Sequence, residues 1–149
     1  MEGYEVFDSV CIADNEATCV KKMELFHILY ETGMDGIYGI CGMSTGNTAE
    51  SGPLLINSLY EEGIISEPIF GWFLGDESMD SYMDVGMYTY DSIREGDELI
   101  WMPVLYDDFW WTNEITGVGF DGNQFSVKKE LAMTDTGTSC VSVPPAIFS

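Results

Sequence analysis

The chain has 149 residues, 46% of them hydrophobic, which is enough to bury one core of ordinary size. Its 26 acidic and 5 basic residues give a formal net charge of −21, so phosphate backbones and anionic lipid headgroups would be repelled. We therefore expect neither nucleic acid nor a membrane as a partner. The excess of carboxylates suits an acidic compartment, where they protonate, and equally suits simple solubility.

Short apolar runs separated by Gly, Asp and Asn dominate the chain. This pattern predicts a mostly β protein with one or two short helices. Strands are expected at residues 4–12, 23–30, 36–41, 68–74, 82–87, 98–105, 109–117 and 131–134. The dipeptide Asp121-Gly122 is typical of a tight hairpin turn.

The helix signal is strongest between residues 51 and 62. Ser51 can cap the start, Pro53 suits the first turn, and apolar residues follow at a spacing of four. Gly63 is expected to end this helix. A second helix is expected to begin at Pro144-Pro145.

The cysteines do not have the spacing of a zinc site, and the single histidine, His27, cannot complete one. We expect no metal and no cofactor. Cys11 and Cys19 flank the polar stretch 12–18, and the sequence is equally compatible with a disulfide that closes a hairpin and with two free thiols.

Residues 135–139 read Asp-Thr-Gly-Thr-Ser and lie between two apolar runs, which predicts a strand, a tight polar loop and a strand. Gly137 lets the backbone turn closely, and the hydroxyls can hydrogen-bond the Asp135 carboxylate or the loop itself. Two aspartates held close together share one proton, and such a pair can deprotonate a water and protonate a carbonyl. The alternative is that Asp135 only caps a backbone turn.

Several motifs, in the same order, resemble the pepsin-like family of two-lobed aspartic proteases over nearly the whole chain. Ile37-Tyr38-Gly39 resembles the hydrophobic-hydrophobic-Gly element near the end of the N-terminal lobe. Residues 53–59 and 62–74 resemble the helix and the lobe-linking strand that follow it. Residues 101–104, 109–110 and 121–122 resemble the opening strands of the C-terminal lobe, just before the second Asp-Thr-Gly-Thr-Ser.

The resemblance implies a partial pepsin-like fold. Residues 1–88 would be the C-terminal part of the N-terminal lobe with the lobe-linking strands, and residues 89–149 the N-terminal part of the C-terminal lobe. Asp135 would be the second catalytic aspartate, Gly137 and Thr138 would contact the substrate backbone, and Thr136 would tie the two catalytic loops together. The remaining residues expected to support the catalytic loops are Ser139, Ile37, Tyr38 and Gly39.

The implied function is that of an aspartic endopeptidase acting on peptides or proteins at acid pH, in a secreted or a lysosomal or vacuolar setting. The chain contains no other Asp-Thr-Gly and no Asp-Ser-Gly. The first aspartate is therefore expected in a missing remainder of the same enzyme, and this chain alone is expected to be inactive. Thr134, Asp84 and Cys140 depart from the family pattern, and a non-catalytic relative that binds peptides or joins an assembly is the alternative.

Overall fold

A computed structural model describes residues 2–33, 36–45, 52–91, 93–105 and 110–145. The mostly β class with a short helix, predicted from the sequence, is confirmed. A short 3-10 turn, Glu16–Thr18, connects the first two strands. The elements follow in the order β1 (Glu2–Cys11), β2 (Cys19–Tyr30), α1 (Leu55–Glu61), β3 (Phe70–Phe73), β4 (Tyr82–Val85), β5 (Thr112–Phe120) and β6 (Asn123–Met133).

Within the described ranges each strand pairs with its neighbour in sequence, so β1–β2, β3–β4 and β5–β6 are antiparallel hairpins. The chain divides into two compact units. The first comprises Met1–Met43 and Asn47–Leu99, and contains β1 to β4 with α1. The second comprises Ser44–Gly46 and Ile100–Ser149, and contains β5 and β6. The boundary between residues 88 and 89 that the resemblance implies stays a prediction.

The core of the first unit forms where α1 packs on β2. Val20 and Met23 on β2 and Leu59 on α1 are buried together, and Ile56, three residues before Leu59, is buried on the same helix. A spacing of three to four residues places side chains on one helical face, which is the face that this helix buries. Each fully buried aliphatic side chain contributes about 2 kcal/mol to the stability of this small core.

The helix begins later than the sequence suggested. Leu54 is the N-cap residue and makes no side-chain capping hydrogen bond, so the placement of Pro53 in the first turn is wrong. Ser51, expected as the cap, lies outside the described residues. A helix so short depends on its packing against β2 more than on a capping side chain.

Gly63 ends α1, as predicted. It adopts a φ of +70°, a conformation that favours glycine. Its N–H donates to the Tyr60 carbonyl at 3.0 Å, and the Ile64 N–H donates to the Leu59 carbonyl at 2.9 Å. These two bonds define a Schellman motif, in which the reversed glycine satisfies the last carbonyls of the helix.

Two predicted strands, 36–41 and 98–105, are wrong. Both segments are irregular, because a β-prone sequence becomes a strand only where a neighbouring strand completes its hydrogen bonds. The second helix, expected from Pro144-Pro145, lies almost wholly outside the described residues.

The last hairpin is longer than predicted, because β6 begins at Asn123 and not at Leu131. The charged residues 128–130 interrupt the alternation of apolar and polar side chains that predicts a strand. The turn at Asp121-Gly122 is confirmed, with φ values of +48° and +74°. Two positive φ values are what a type I′ turn requires. Among the described residues no helix is both long and apolar enough to cross a membrane.

Candidate functional site

The Asp135 loop begins where the β5–β6 ladder ends. Thr112 pairs with Met133 at the end of the ladder. One residue further on, the Thr134 N–H donates to the Trp111 carbonyl at 3.0 Å. This hydrogen bond joins two backbone groups, so the identities of the side chains could not have predicted it. The anchor fixes the backbone immediately before Asp135 to the neighbouring strand.

Asp135 opens a tight turn that closes on its own carboxylate. Its carbonyl accepts the Thr138 N–H at 3.3 Å. The Gly137 N–H donates to Oδ1 at 2.9 Å, and the Thr138 hydroxyl donates to Oδ2 at 2.5 Å. A Cβ at Gly137 would lie 3.2 Å from Oδ1, closer than nine in ten real Cβ contacts, so glycine leaves room for this geometry. Both carboxylate oxygens are therefore held in fixed directions.

These hydrogen bonds set the charge state of the loop. The Thr138 hydroxyl, followed by the Gly137 N–H, lowers the pKa of the Asp135 carboxyl below its ordinary value of 3.8. Both donors stabilise the ionised form, whereas desolvation opposes them weakly at this exposed side chain. The turn thus presents an oriented carboxylate that stays ionised into acid, and such a group can accept a proton from a bound water.

Thr136 and Ser139 carry the other two hydroxyls of the loop. Both residues are exposed, and their hydroxyls make no hydrogen bond to any described residue. The loop therefore brings together Asp135, Gly137 and Thr138, while Thr136 and Ser139 only adjoin them. The substrate contacts and the loop-tying role expected of these residues stay predictions.

Ile37, Tyr38 and Gly39 belong to the first unit, where they form irregular, exposed chain. Together with residues 28–31 at the end of β2 they line a cavity of about 270 Å³. Their support of the Asp135 loop stays a prediction.

Cys11 and Cys19 are joined by a disulfide in the structure. They form the last pair of the β1–β2 ladder, so the bond closes the base of the connecting loop. Cys41 and Cys140 are free and exposed. No group of three or more His, Cys, Asp or Glu side chains in the described part of the chain is arranged to hold a metal ion.

The family model of the eukaryotic aspartyl proteases matches residues 1–149. The chain is 29% identical to Pepsin-3 of Oryctolagus cuniculus, a match covering 100% of this chain and 39% of that protein. It is 30% identical to Rhizopuspepsin-3 of Rhizopus niveus, over 77% of this chain and 29% of that protein. It is 26% identical to the vacuolar aspartic protease of Candida albicans, over 99% of this chain and 36% of that protein.

The chain therefore belongs to the eukaryotic aspartyl protease family, and the resemblance found in the sequence is confirmed. It spans less than two fifths of the length of each of these three relatives.

Proposed function

We propose that the complete protein carrying this chain is an aspartic endopeptidase and that Asp135 is one of its two catalytic carboxylates. The observation that carries the proposal is the Asp135 turn, in which an exposed carboxylate has both oxygens oriented and its pKa lowered. Membership of the family over residues 1–149 supports it independently.

Peptide-bond hydrolysis by water requires a base for the water and an acid for the carbonyl oxygen. Asp135 suits the base, because its hydrogen bonds favour the ionised form. A second carboxyl placed beside it would keep its proton, since two close carboxylates do not both ionise, and that proton would pass to the carbonyl. The chain has one Asp-Thr-Gly, so we assign the second carboxyl to the rest of the protein and expect this chain alone to be inactive.

The neighbouring residues have assigned roles in this proposal. Gly137 and Thr138 contact the substrate backbone, and the absence of a side chain at Gly137 leaves space for it. The hydroxyl of Thr136, which has no hydrogen-bond partner among the described residues, joins the two catalytic loops. Ser139 and residues 37–39 support the loops.

We further propose peptide or protein substrates and a secreted, lysosomal or vacuolar setting. Two of the relatives are named as vacuolar proteases, from Candida albicans and Arthroderma benhamiae. A net charge of −21 fits an acidic compartment, since the repulsion among the carboxylates falls as they protonate.

The test is cleavage of a fluorogenic peptide with apolar residues around the scissile bond, by the full-length protein at about pH 4. Asp135→Asn keeps the shape of the side chain and removes its charge, and we expect it to lower kcat by at least about 10³-fold. Asp121→Asn is the matched control, because it makes the same change at the β5–β6 turn, where asparagine is equally suited.

Full activity in the Asp135→Asn protein would refute the catalytic assignment. Tight binding of a peptide inhibitor by the wild-type full-length protein without any turnover would instead identify a non-catalytic peptide-binding relative.

A further inference from the structure

The β3–β4 hairpin has two chemically different faces. Phe70 pairs with Val85 and Trp72 with Met83, and alternation along each strand places these four residues on one face. Val85 packs against the buried core of the first unit, so this face meets the core at its Val85 end, while Trp72 and Met83 remain 46% and 37% exposed. The opposite face carries the remaining four residues, Gly71, Phe73, Tyr82 and Asp84.

Aromatic rings form a strip along this opposite face. Phe73 and Tyr82 stack with their centroids 5.1 Å apart. The next pair on this face is Gly71 and Asp84. The Cβ of Tyr88 lies 3.7 Å from the position that a Cβ of Gly71 would occupy, so Tyr88 uses the space that the glycine leaves. Tyr90 meets Tyr88 edge to face at 5.6 Å. Tyr82, Tyr88 and Tyr90 nevertheless remain 40%, 37% and 63% exposed.

Gly86 and Thr89, which follow β4, position the segment that carries Tyr88 and Tyr90. Gly86 turns the chain with a φ of +79°, and a Cβ there would lie 2.6 Å from the Cβ of Ile65, so no other residue fits. The Thr89 N–H then donates to Oδ2 of Asp84 at 3.1 Å, which holds the returning segment against the strand. The departure from the family pattern at Asp84 thus has a structural role beside the rings.

The strip is also negatively charged. Asp84 is half-buried beside Tyr88. The hydrogen bond and charge of Tyr90 raise the pKa of Tyr88, with smaller contributions from desolvation and from the charge of Glu67. In the described part of the chain neither Asp84 nor Glu67 forms an ion pair with a basic residue.

We propose that the tyrosine surface, formed by Phe73, Tyr82, Tyr88, Tyr90 and Asp84, binds arginine or lysine side chains of a basic peptide segment. Ring faces attract cations, and a guanidinium group stacks flat on a ring while it hydrogen-bonds a carboxylate. The net charge of −21 attracts such a segment from a distance. This function is separate from peptide hydrolysis, because Asp135 takes no part in it.

The test titrates the full-length protein, at pH 7 and about 150 mM salt, with a blocked peptide of alternating Gly and Arg and with its neutral citrulline analogue. We expect the arginine peptide to bind and the citrulline peptide to bind at least about tenfold more weakly. Tyr82→Leu and Tyr88→Leu are each expected to weaken binding about two- to fivefold. Asp84→Asn, which keeps an acceptor for Thr89, should weaken it to a similar extent.

Two controls make the same substitutions elsewhere in the first unit. Tyr60→Leu removes another exposed tyrosine, and Asp14→Asn removes another exposed carboxylate. Both should leave the affinity essentially unchanged. In the wild-type chain the ring-carbon signals of Tyr82, Tyr88 and Tyr90 should shift on titration while that of Tyr60 does not, a readout that needs no variant to fold.

Three outcomes would overturn the proposal. These are equal affinity for the arginine and citrulline peptides, equal losses in the controls and the surface variants, or no detectable binding. Equal losses in Asp84→Asn and Asp14→Asn, with no loss in the tyrosine variants, would show that the overall negative charge alone attracts the peptide.

Discussion

The hydroxyl of Thr138 donates a 2.5 Å hydrogen bond to Oδ2 of Asp135, across a turn of four residues. It is the largest cause of the lowered pKa of that carboxyl. One threonine therefore both closes the turn and favours the charge that the proposed chemistry needs.

Replacing Thr138 by Val, which has the same shape but no hydroxyl, should raise the pKa of Asp135 toward its ordinary value of 3.8. Thr138→Ser keeps the donor and should leave the pKa nearly unchanged. The measurement is an NMR titration of the Asp135 carboxyl carbon in the 149-residue chain. An identical titration of the Val and Ser variants would contradict the assigned cause.

The same hydrogen bond has a pH-dependent effect on stability. Because the pKa of Asp135 is lower in the folded chain than in the unfolded one, its contribution is fully present above the unfolded value, near 3.8. It is lost as the pH falls through the folded value. The difference in stability between wild type and Thr138→Val should therefore shrink as the pH is lowered below about 4.

The disulfide between Cys11 and Cys19 closes a short loop at the end of β1–β2, next to the buried Val20. Replacing both cysteines by serine should lower the free energy of unfolding by about 2.5 kcal/mol, since the unfolded chain regains the freedom of the loop. Chemical denaturation under oxidising conditions measures this. The double change of the free Cys41 and Cys140 to serine is the control, with little effect expected. Equal losses in the two double variants would show that the disulfide has no special role.

Lys129 adopts a φ of +49° in the bulge of β6, where the ladder with β5 shifts register. This left-handed conformation is unfavourable for lysine, whereas glycine adopts it without a steric clash. Lys129→Gly should therefore be more stable than Lys129→Ala by about 1 kcal/mol. Both variants lose the exposed ion pair with Glu114, so the comparison between them isolates the backbone effect. Denaturation curves measure it, and equal stability of the two variants would contradict a strained backbone at Lys129.

The sequence alone predicted the hairpin turn, the end of the helix and the family of this protein. Asp121-Gly122 predicted its hairpin turn and Gly63 the end of the helix, because each position needs a left-handed backbone that few residues adopt easily. The succession of motifs from Ile37 to Asp135 predicted the family, which the match over residues 1–149 confirms.

Other features depended on the neighbours that folding supplied. Segments 36–41 and 98–105 have strand-like sequences but are irregular, because strand formation requires a pairing partner that local sequence does not specify. The anchoring of Thr134 by the Trp111 carbonyl and the packing of Tyr88 over Gly71 join residues distant in sequence. The sequence alone thus determined the family and the turns, whose causes are local. Only the tertiary structure decided that the Trp111 carbonyl anchors the backbone before Asp135 and which rings meet on β3–β4, because these contacts join residues distant in sequence.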